Sequence, residues 1–281
     1  MLINMEIEEP CISEYTFGKF AKLIYSEIGI YLPVHKKIML EGRIKKRMRK
    51  LLIDSYEKYF NYVLESNDER IEFYNVVSTN KTEFFRENQH FDIIIKNLPE
   101  IIKINEKNDK KLSIWSSASS SGEEAYSILI TLMEHFDILK TWKLKIIASD
   151  ISTAMLEQGK IGEYSDYKIE NIDKYYLEKY FSKLGENKFK IRENLKKYVI
   201  FKRINLKDQS YPFKGTFEII FCRNILIYFD YNTKLNVLKN IIKYLKHNGI
   251  LVLGTMEPLS YELERELGLK KIDSTVYKKI I

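Results

Sequence analysis

Little in this sequence either breaks a chain or staples one. Two cysteines, Cys11 and Cys222, lie far apart, so neither a disulfide framework nor a cysteine-based metal site is available. Five prolines and eleven glycines among 281 residues exclude collagen-like and low-complexity chains. No apolar run approaches the length that spans a bilayer. The first residues carry Glu6, Glu8 and Glu9 where a secretory signal would be basic and then apolar. No internal repeat is evident. The expectation is a folded cytoplasmic protein of one large domain, or of one domain with a smaller partner.

What the chain has is a good supply of core and an excess of positive charge. Apolar residues make up 45% and the net charge is +7. A basic balance suits an acidic partner: nucleic acid, an anionic membrane or an acidic protein surface. Much of the excess is local. Residues 36–50 hold Lys36, Lys37, Arg43, Lys45, Lys46, Arg47, Arg49 and Lys50 against the single acid Glu41. At about 100° per residue, Leu40, Ile44, Met48 and Leu51 fall in one stripe. Lys36, Arg43, Lys46, Arg47 and Lys50 fall opposite. This predicts an amphipathic helix with a cationic outer face, which is either a solvated surface or a docking face.

Helical spacing dominates residues 12–100. From residue 112 the texture changes. The stretches KLSIWS (111–116), KLKIIASD (143–150), KKYVIFKRINL (196–206), TFEIIFCRN (216–224) and GILVLGT (249–255) read as strands. Helical patterns over 122–136, 152–158 and 231–247 lie between several of them, and Asn248-Gly249 reads as the end of the last helix. The tail, 267–280, reads as two strands joined tightly at Asp273-Ser274. Alternating strands and helices predict a mostly parallel, doubly wound α/β sheet with an antiparallel pair at one edge. Residues 159–195, rich in Tyr and Lys, break the alternation and read as an inserted subdomain.

Chemistry is expected at the carboxyl ends of the strands. The first strand runs into SSASSSGEE (116–124), small residues ahead of a helix N-terminus, where a ligand can approach free N–H groups. It lacks the G-x-G-x-x-G spacing of a dinucleotide fold, which disfavours NAD and FAD. Asp150 ends the second strand, as ribose-binding acids do, although SDIS also reads as a helix N-cap. Arg223 and Asn224 interrupt FEIIFCRNILIYFD (217–230) and are costly in mid-strand unless they emerge into a cleft, or unless Arg223 forms a structural ion pair. Tyr228 follows, as a cleft residue or a core aromatic. Ahead of the sheet, TNKTEFFRENQHF (79–91) sets Asn80, Thr82 and Arg86 around Phe84-Phe85; the plain reading is a helix start capped by Thr82 or Asn80.

Taken together, TNKTEFFRE, IWSSASSSGEEAYSI, IIASDIS, RINL, FCRNILIYFD and GILVLGTMEPLS closely resemble the chemoreceptor glutamate O-methyltransferase (CheR) family of bacterial chemotaxis, in family order over roughly residues 12–280. The resemblance implies a small all-helical N-terminal domain (1–78), a linking, cofactor-contacting segment (79–110) and a class I S-adenosylmethionine-dependent methyltransferase domain (111–281) with a small antiparallel β insertion near 159–195. It implies S-adenosylmethionine as cofactor, S-adenosylhomocysteine as product and no metal. Asn80, Thr82 and Arg86 then line the methionine end of the cofactor. Glu124 holds its amino group, Asp150 its ribose, Asn205 and Leu206 flank its adenine, and Arg223 and Asn224 reach it from the fourth strand. Arg86 and Tyr228 stand nearest the line of transfer. The substrate is glutamate on the cytoplasmic helical bundle of chemoreceptors, approached by Arg43, Lys46 and Lys50, with no nucleic acid, no membrane insertion and a monomeric enzyme. The closing GTMEPLS differs from the Ser-Glu-Asn of many members, and no role is carried onto it. Two alternatives remain: a methyltransferase acting on RNA or a small molecule, and a non-catalytic cofactor-binding signalling module.

Overall fold

A computed structural model describes residues 11–107 and 109–281. The chain divides into two compact units at Thr79/Asn80.

Among the described residues the first unit holds four α-helices, α1 (Glu14–Ile28), α2 (Lys37–Leu51), α3 (Tyr56–Glu65) and α4 (Asn67–Val77), with a 3-10 turn Val34–Lys36 ahead of α2. Serine starts three of them. Ser13, Ser55 and Ser66 accept from the N–H groups of Thr16, Lys58 and Glu69 at 3.0, 3.4 and 3.2 Å, satisfying donors that a helix start leaves free. Gly29, with φ 77°, ends α1 in the left-handed conformation that a side chain would strain. Phe17, Phe20 and Ile24 of α1, Leu40, Ile44 and Met48 of α2, and Tyr59, Val63 and Phe73 are all buried. Phe20 and Phe60 pack edge to face with centroids 5.0 Å apart.

Two of the cations expected on the outer face of α2 turn inward. Arg47 clasps the buried Glu69 at 2.9 and 2.6 Å, and Tyr59 Oη donates to the same carboxylate at 2.8 Å. Arg43, half-buried, donates to the carbonyls of Val77 and Ser78 and to Thr79 Oγ1, closing the end of α4. A buried Glu and helix-terminal carbonyls both need donors, and long arginine side chains supply them across the bundle. Lys46 and Lys50 stay exposed.

The second unit runs α5 (Gln89–Glu106), β1 (Lys111–Ser116), α6 (Glu123–His135), β2 (Lys143–Asp150), α7 (Thr153–Ile161), β3 (Glu163–Ser165), α8 (Asp166–Ile169), α9 (Lys174–Tyr180), β4 (Phe181–Lys183), β5 (Lys188–Ile191), α10 (Glu193–Lys196), β6 (Val199–Arg203), β7 (Phe217–Cys222), α11 (Tyr231–Lys243), β8 (Leu245–Leu253), α12 (Tyr261–Glu266), β9 (Leu269–Asp273) and β10 (Val276–Lys279). The main sheet is ordered β6-β2-β1-β7-β8-β10-β9. Its first five strands are parallel, and β10 runs antiparallel to both β8 and β9. Strands β3, β5 and β4 form the small antiparallel sheet of the insertion, together with short helices that the sequence did not signal.

Central strands covered on both faces must be apolar throughout, and all six residues of β7 are buried. Phe91, Leu98, Ile114, Leu129, Ile146 and Phe221 pack one side of the sheet. Trp115, Phe217, Leu238, Ile241, Leu251 and Tyr277 pack the other. Glu218 is the polar exception in β7. Its carboxylate accepts from Ser113 N–H at 2.7 Å and Asn105 Nδ2 at 3.0 Å, and pairs with Lys246, so the charge is buried with partners.

Asn248-Gly249 does not end a helix. Helix α11 stops at Lys243, and the pair lies inside β8, with Asn248 at φ 59°. The register between β7 and β8 shifts between Phe217 and Ile219. Asn-Gly serves here as the left-handed kink of an irregular strand, a role that uses the same conformational freedom as a helix C-terminus.

Candidate active site

Sheet order makes the site. The chain leaves β1 toward β2 and β6 on one side, while β7 and β8 lie on the other, so the loops after β1 and β7 diverge above a crevice at the carboxyl ends. The sequence-predicted residues of the second unit stand at or just past strand ends, in the first turn of α6 (Glu124), on a 3-10 turn beyond β7 (Tyr228), or on the segment just before α5.

After β1, Ser117 and Ser119 donate their N–H groups to the carbonyls of Phe221 and Ser149, both at 2.8 Å, drawing the loop over β7 and β2. Ser120 takes φ 47° and Gly122 φ 92°. A Cβ on Gly122 would meet the Phe201 ring at 3.0 Å, so the turn into α6 needs glycine on both counts. Asp150, at the end of β2, accepts from Ser120 N–H and Ser152 N–H, both at 2.9 Å. Burial pushes its carboxyl up, opposed by those two N–H groups. The N-cap of α7 is Ser152, which accepts from Met155 N–H at 3.3 Å. Past β6, Ile204 N–H bonds Asp150 carbonyl at 3.1 Å, bringing half-buried Asn205 and buried Leu206 beside the acid.

Arg223 and Asn224 follow the last residue of β7. Buried Arg223 lies between two carboxylates: Nη1 reaches Glu124 at 3.0 Å and Nη2 reaches Glu87 at 3.1 Å. It also donates to the carbonyl of Arg86. Glu124 accepts from Ser116 Oγ at 2.6 Å as well. Burial raises the Glu124 carboxyl and Arg223 opposes the rise. Glu87 behaves differently. Burial would raise it, but hydrogen bonds from Asn224 and Arg223, the arginine charge and Thr255 N–H together hold it down at about 2. The trio carries a net charge of −1 when both acids are ionised.

The segment from Asn80 to Asn88 is not the helix start its sequence suggested; α5 begins only at Gln89. Phe84 anchors it, edge-on to Tyr164 and Phe181 of the insertion at 4.9 and 5.4 Å. Phe85 N–H donates to Ser127 Oγ at 2.9 Å, and Asn80 carbonyl accepts from Ser120 Oγ at 3.2 Å. Thr82 is half-buried. Arg86 donates through Nη1 to Lys81 carbonyl at 3.1 Å. Tyr228 is half-buried at the end of the short 3-10 turn Leu226–Tyr228. Arg43, Lys46 and Lys50 belong to the other unit.

Three polar residues of this cluster escaped the sequence reading. Glu87 stands next to Arg86 in the same motif. Glu257 accepts from Asn224 N–H and Gly254 N–H, both at 2.8 Å, and from Ile227 N–H at 3.2 Å, so it clamps the turn bearing Tyr228 to the end of β8. Its sequence, GTMEPLS, was the stretch that departed from the family pattern. His90 bonds Thr275 Oγ1 at 3.0 Å and faces Glu87 at 3.4 Å. Burial, aided by Arg223, lowers His90 to about 4. An acid placed just past a predicted strand end was the signal available for Glu257.

The residues fit S-adenosylmethionine. Its sulfonium and ammonium outweigh its carboxylate by one positive charge, matching the −1 of the Glu87–Arg223–Glu124 trio. Ser119 Oγ and Arg223 Nε are among the buried polar atoms that have no hydrogen-bond partner among the described residues. A carboxylate has about four lone-pair directions, so Asp150 retains capacity for two ribose hydroxyls. That complementarity, at strand ends ordered in this way, makes the protein an S-adenosylmethionine-dependent methyltransferase.

Residues 80–277 match the family model described as CheR methyltransferase, SAM binding domain, and residues 16–78 match CheR methyltransferase, all-alpha domain. The chain belongs to the CheR methyltransferase family. It is 36% identical over 273 residues to the chemotaxis protein methyltransferase of Borreliella burgdorferi, covering 95% of both chains. With the Escherichia coli protein of the same description it shares 36% over 285 residues, covering 99% of this chain and 94% of that one. The Salmonella typhimurium relative is 35% identical over 272 residues, covering 95% and 90%. No helix among the described residues is long and apolar enough to cross a membrane.

Proposed function

We propose that this methyltransferase esterifies glutamate side chains on the cytoplasmic helical bundle of chemotaxis receptors, giving γ-methyl esters and S-adenosylhomocysteine. The observation that carries the reading is Arg86. Its guanidinium sits on a segment pinned to the cofactor-site loop, with one hydrogen bond spent on Lys81 carbonyl. The remaining donors of the fork suit a carboxylate.

The bound cofactor supplies a methyl group already activated as a sulfonium. A glutamate, with an ordinary pKa of about 4.3, is ionised at neutral pH and needs no base. Work for the protein is therefore positioning and exclusion of water. Arg86 orients the substrate carboxylate, and Tyr228 donates one hydrogen bond to it. Glu124 and Asp150 hold the ammonium and ribose ends, with Asn80, Thr82, Asn205, Leu206, Arg223 and Asn224 around them. Outside this site, exposed Lys46 and Lys50 draw in an acidic helix.

Incubation with a receptor cytoplasmic fragment and methyl-labelled cofactor, followed by alkali, tests the reading. Esters release labelled methanol and methylated amines do not. Label that stays alkali-stable, or that enters a parallel RNA sample instead, would overturn it.

A further inference from the structure

Glu87 receives four hydrogen bonds on its two carboxylate oxygens: from Arg223 Nη2 at 3.1 Å, Asn224 Nδ2 at 3.0 Å, Thr255 N–H at 3.1 Å and Thr255 Oγ1 at 3.0 Å. These donors stand beyond the ends of two neighbouring strands, β7 and β8. The same Arg223 guanidinium grips the carbonyl of Arg86. Residue 86 is therefore pinned twice, through its own carbonyl and through its successor's side chain.

The backbone around it is not one the chain takes freely. Phe85 and Glu87 have φ 54° and 56°, and Asn224 across the cluster has φ 57°. Left-handed conformations are unfavourable for side chains with a Cβ, and Phe and Glu lack the local hydrogen bonds that help Asn. Two such residues flanking Arg86 set the direction in which its Cα–Cβ bond leaves the chain. They persist because contacts elsewhere over-determine them, and strain held this way accumulates at functional sites.

We infer that Glu87 is a positioning residue for methyl transfer: by tying residues 85–87 to the ends of β7 and β8, its carboxylate fixes where the Arg86 guanidinium meets the substrate. The inference rests on the role proposed above for Arg86. In this role Glu87 needs no contact with substrate or cofactor. It acts through Arg86, and loss of its grip displaces the arginine without removing it. A displacement of about 1 Å at a reacting centre costs on the order of 100-fold in rate.

The test is a kinetic double-mutant cycle in the full chain with receptor fragment as substrate. Glu87→Gln keeps size and shape but turns an amide NH₂ toward donors of Arg223 or Thr255, opening the hub. Its kcat should fall roughly 100-fold with KM for the fragment nearly unchanged. In an Arg86→Lys background, where the guanidinium fork is gone, the same change should cost less than about threefold, since residues that act as one unit do not add. Thr255→Val, which removes one donor and leaves the charge, should give a smaller loss with the same non-additivity, and serves if Glu87→Gln does not fold. Equal fold-losses in both backgrounds would make Glu87 a structural residue and overturn the inference. So would an unchanged kcat in a folded variant. A wild-type enzyme that leaves receptor carboxylates unmethylated overturns instead the reading beneath it, and the inference falls with that.

Discussion

Asp150 carried two readings in its local sequence, ribose acid and helix cap. Ser152 takes the cap, while Asp150 braces the N–H groups of Ser120 and Ser152 at the mouth of the crevice. Asp150→Ala should weaken binding of S-adenosylhomocysteine by about 1.5–3 kcal/mol, the scale of hydrogen bonds to a charged group. It should also cost about 1–3 kcal/mol of stability, because two buried N–H groups lose their acceptor. Calorimetric titration alongside urea unfolding checks both, and unchanged affinity in the folded variant removes Asp150 from the site. The sequence reading singled out polar residues of recognisable motifs. It passed over Glu87 and His90, although both lie within TNKTEFFRENQHF, and Glu257, because their partners Asn224, Thr255 and Thr275 are distant in the chain and a buried acid looks the same in sequence as a solvated one. Their burial has a consequence for pH. His90 falls from 6.5 to about 4 on folding, so the unfolded chain binds the extra proton between those values and stability drops as pH falls from 6.5 to 4. Glu87 falls from 4.5 to about 2, and its contribution, complete above 4.5, is lost as pH falls toward 2. Each limb is on the order of 3 kcal/mol. His90→Gln should flatten the first limb and leave the second; urea unfolding at pH 7, 5.5 and 4.5 with the same slope as wild type would exclude His90 as its source.

At the scale of elements, strands and long helices could be read because their patterns repeat: short stretches rich in apolar residues for β1, β2 and β7, and a stripe of Leu40, Ile44 and Met48 for α2. Boundaries and faces were harder. Helix α11 ended early because Tyr244 leaves the helix and packs beside Trp115, Tyr211 and Phe213, contacts between distant parts of the chain. On α2, charge periodicity put Arg43 and Arg47 on the outer face with Lys36, Lys46 and Lys50, yet these two arginines serve groups on and at the end of α4 that no helical wheel contains. The cationic face that α2 leaves to solvent is therefore narrower than the sequence suggested. Arg43→Ala should destabilise the protein by about 1.5–3 kcal/mol by leaving helix-end carbonyls without their charged donor. Lys46→Glu with Lys50→Glu should leave melting nearly unchanged, since exposed charges contribute little to stability. Initial methylation rates of this double variant should fall sharply at low salt, with the gap to wild type narrowing as salt screens the charges. Equal rates at low salt would make these lysines a solvated surface only.

For the whole molecule, the division at Thr79/Asn80 separates two compact units. Each unit has its own buried apolar set, one around Phe20, Ile44 and Phe73, the other on the two faces of the seven-stranded sheet. Every residue assigned to the cofactor lies in the second. Doubly wound topology was legible from the alternation of strands and helices, and it alone placed the site at the carboxyl ends. A ligand that binds only the folded form stabilises it by about 2.7 kcal/mol at one hundred times its dissociation constant. In a unit of this size that corresponds to a rise in Tm of about 5–10 °C. Scanning calorimetry of the full chain with S-adenosylhomocysteine should therefore move the transition of residues 80–281 upward by about that much, while the transition of residues 11–79 stays in place. Hydrogen exchange on the same samples assigns each transition, through added protection in β1, β2 and β7 and none in α1–α4. If the two units instead melt together and shift together, they fold as one cooperative body, and the helical unit shares the stabilisation that binding at the strand ends provides.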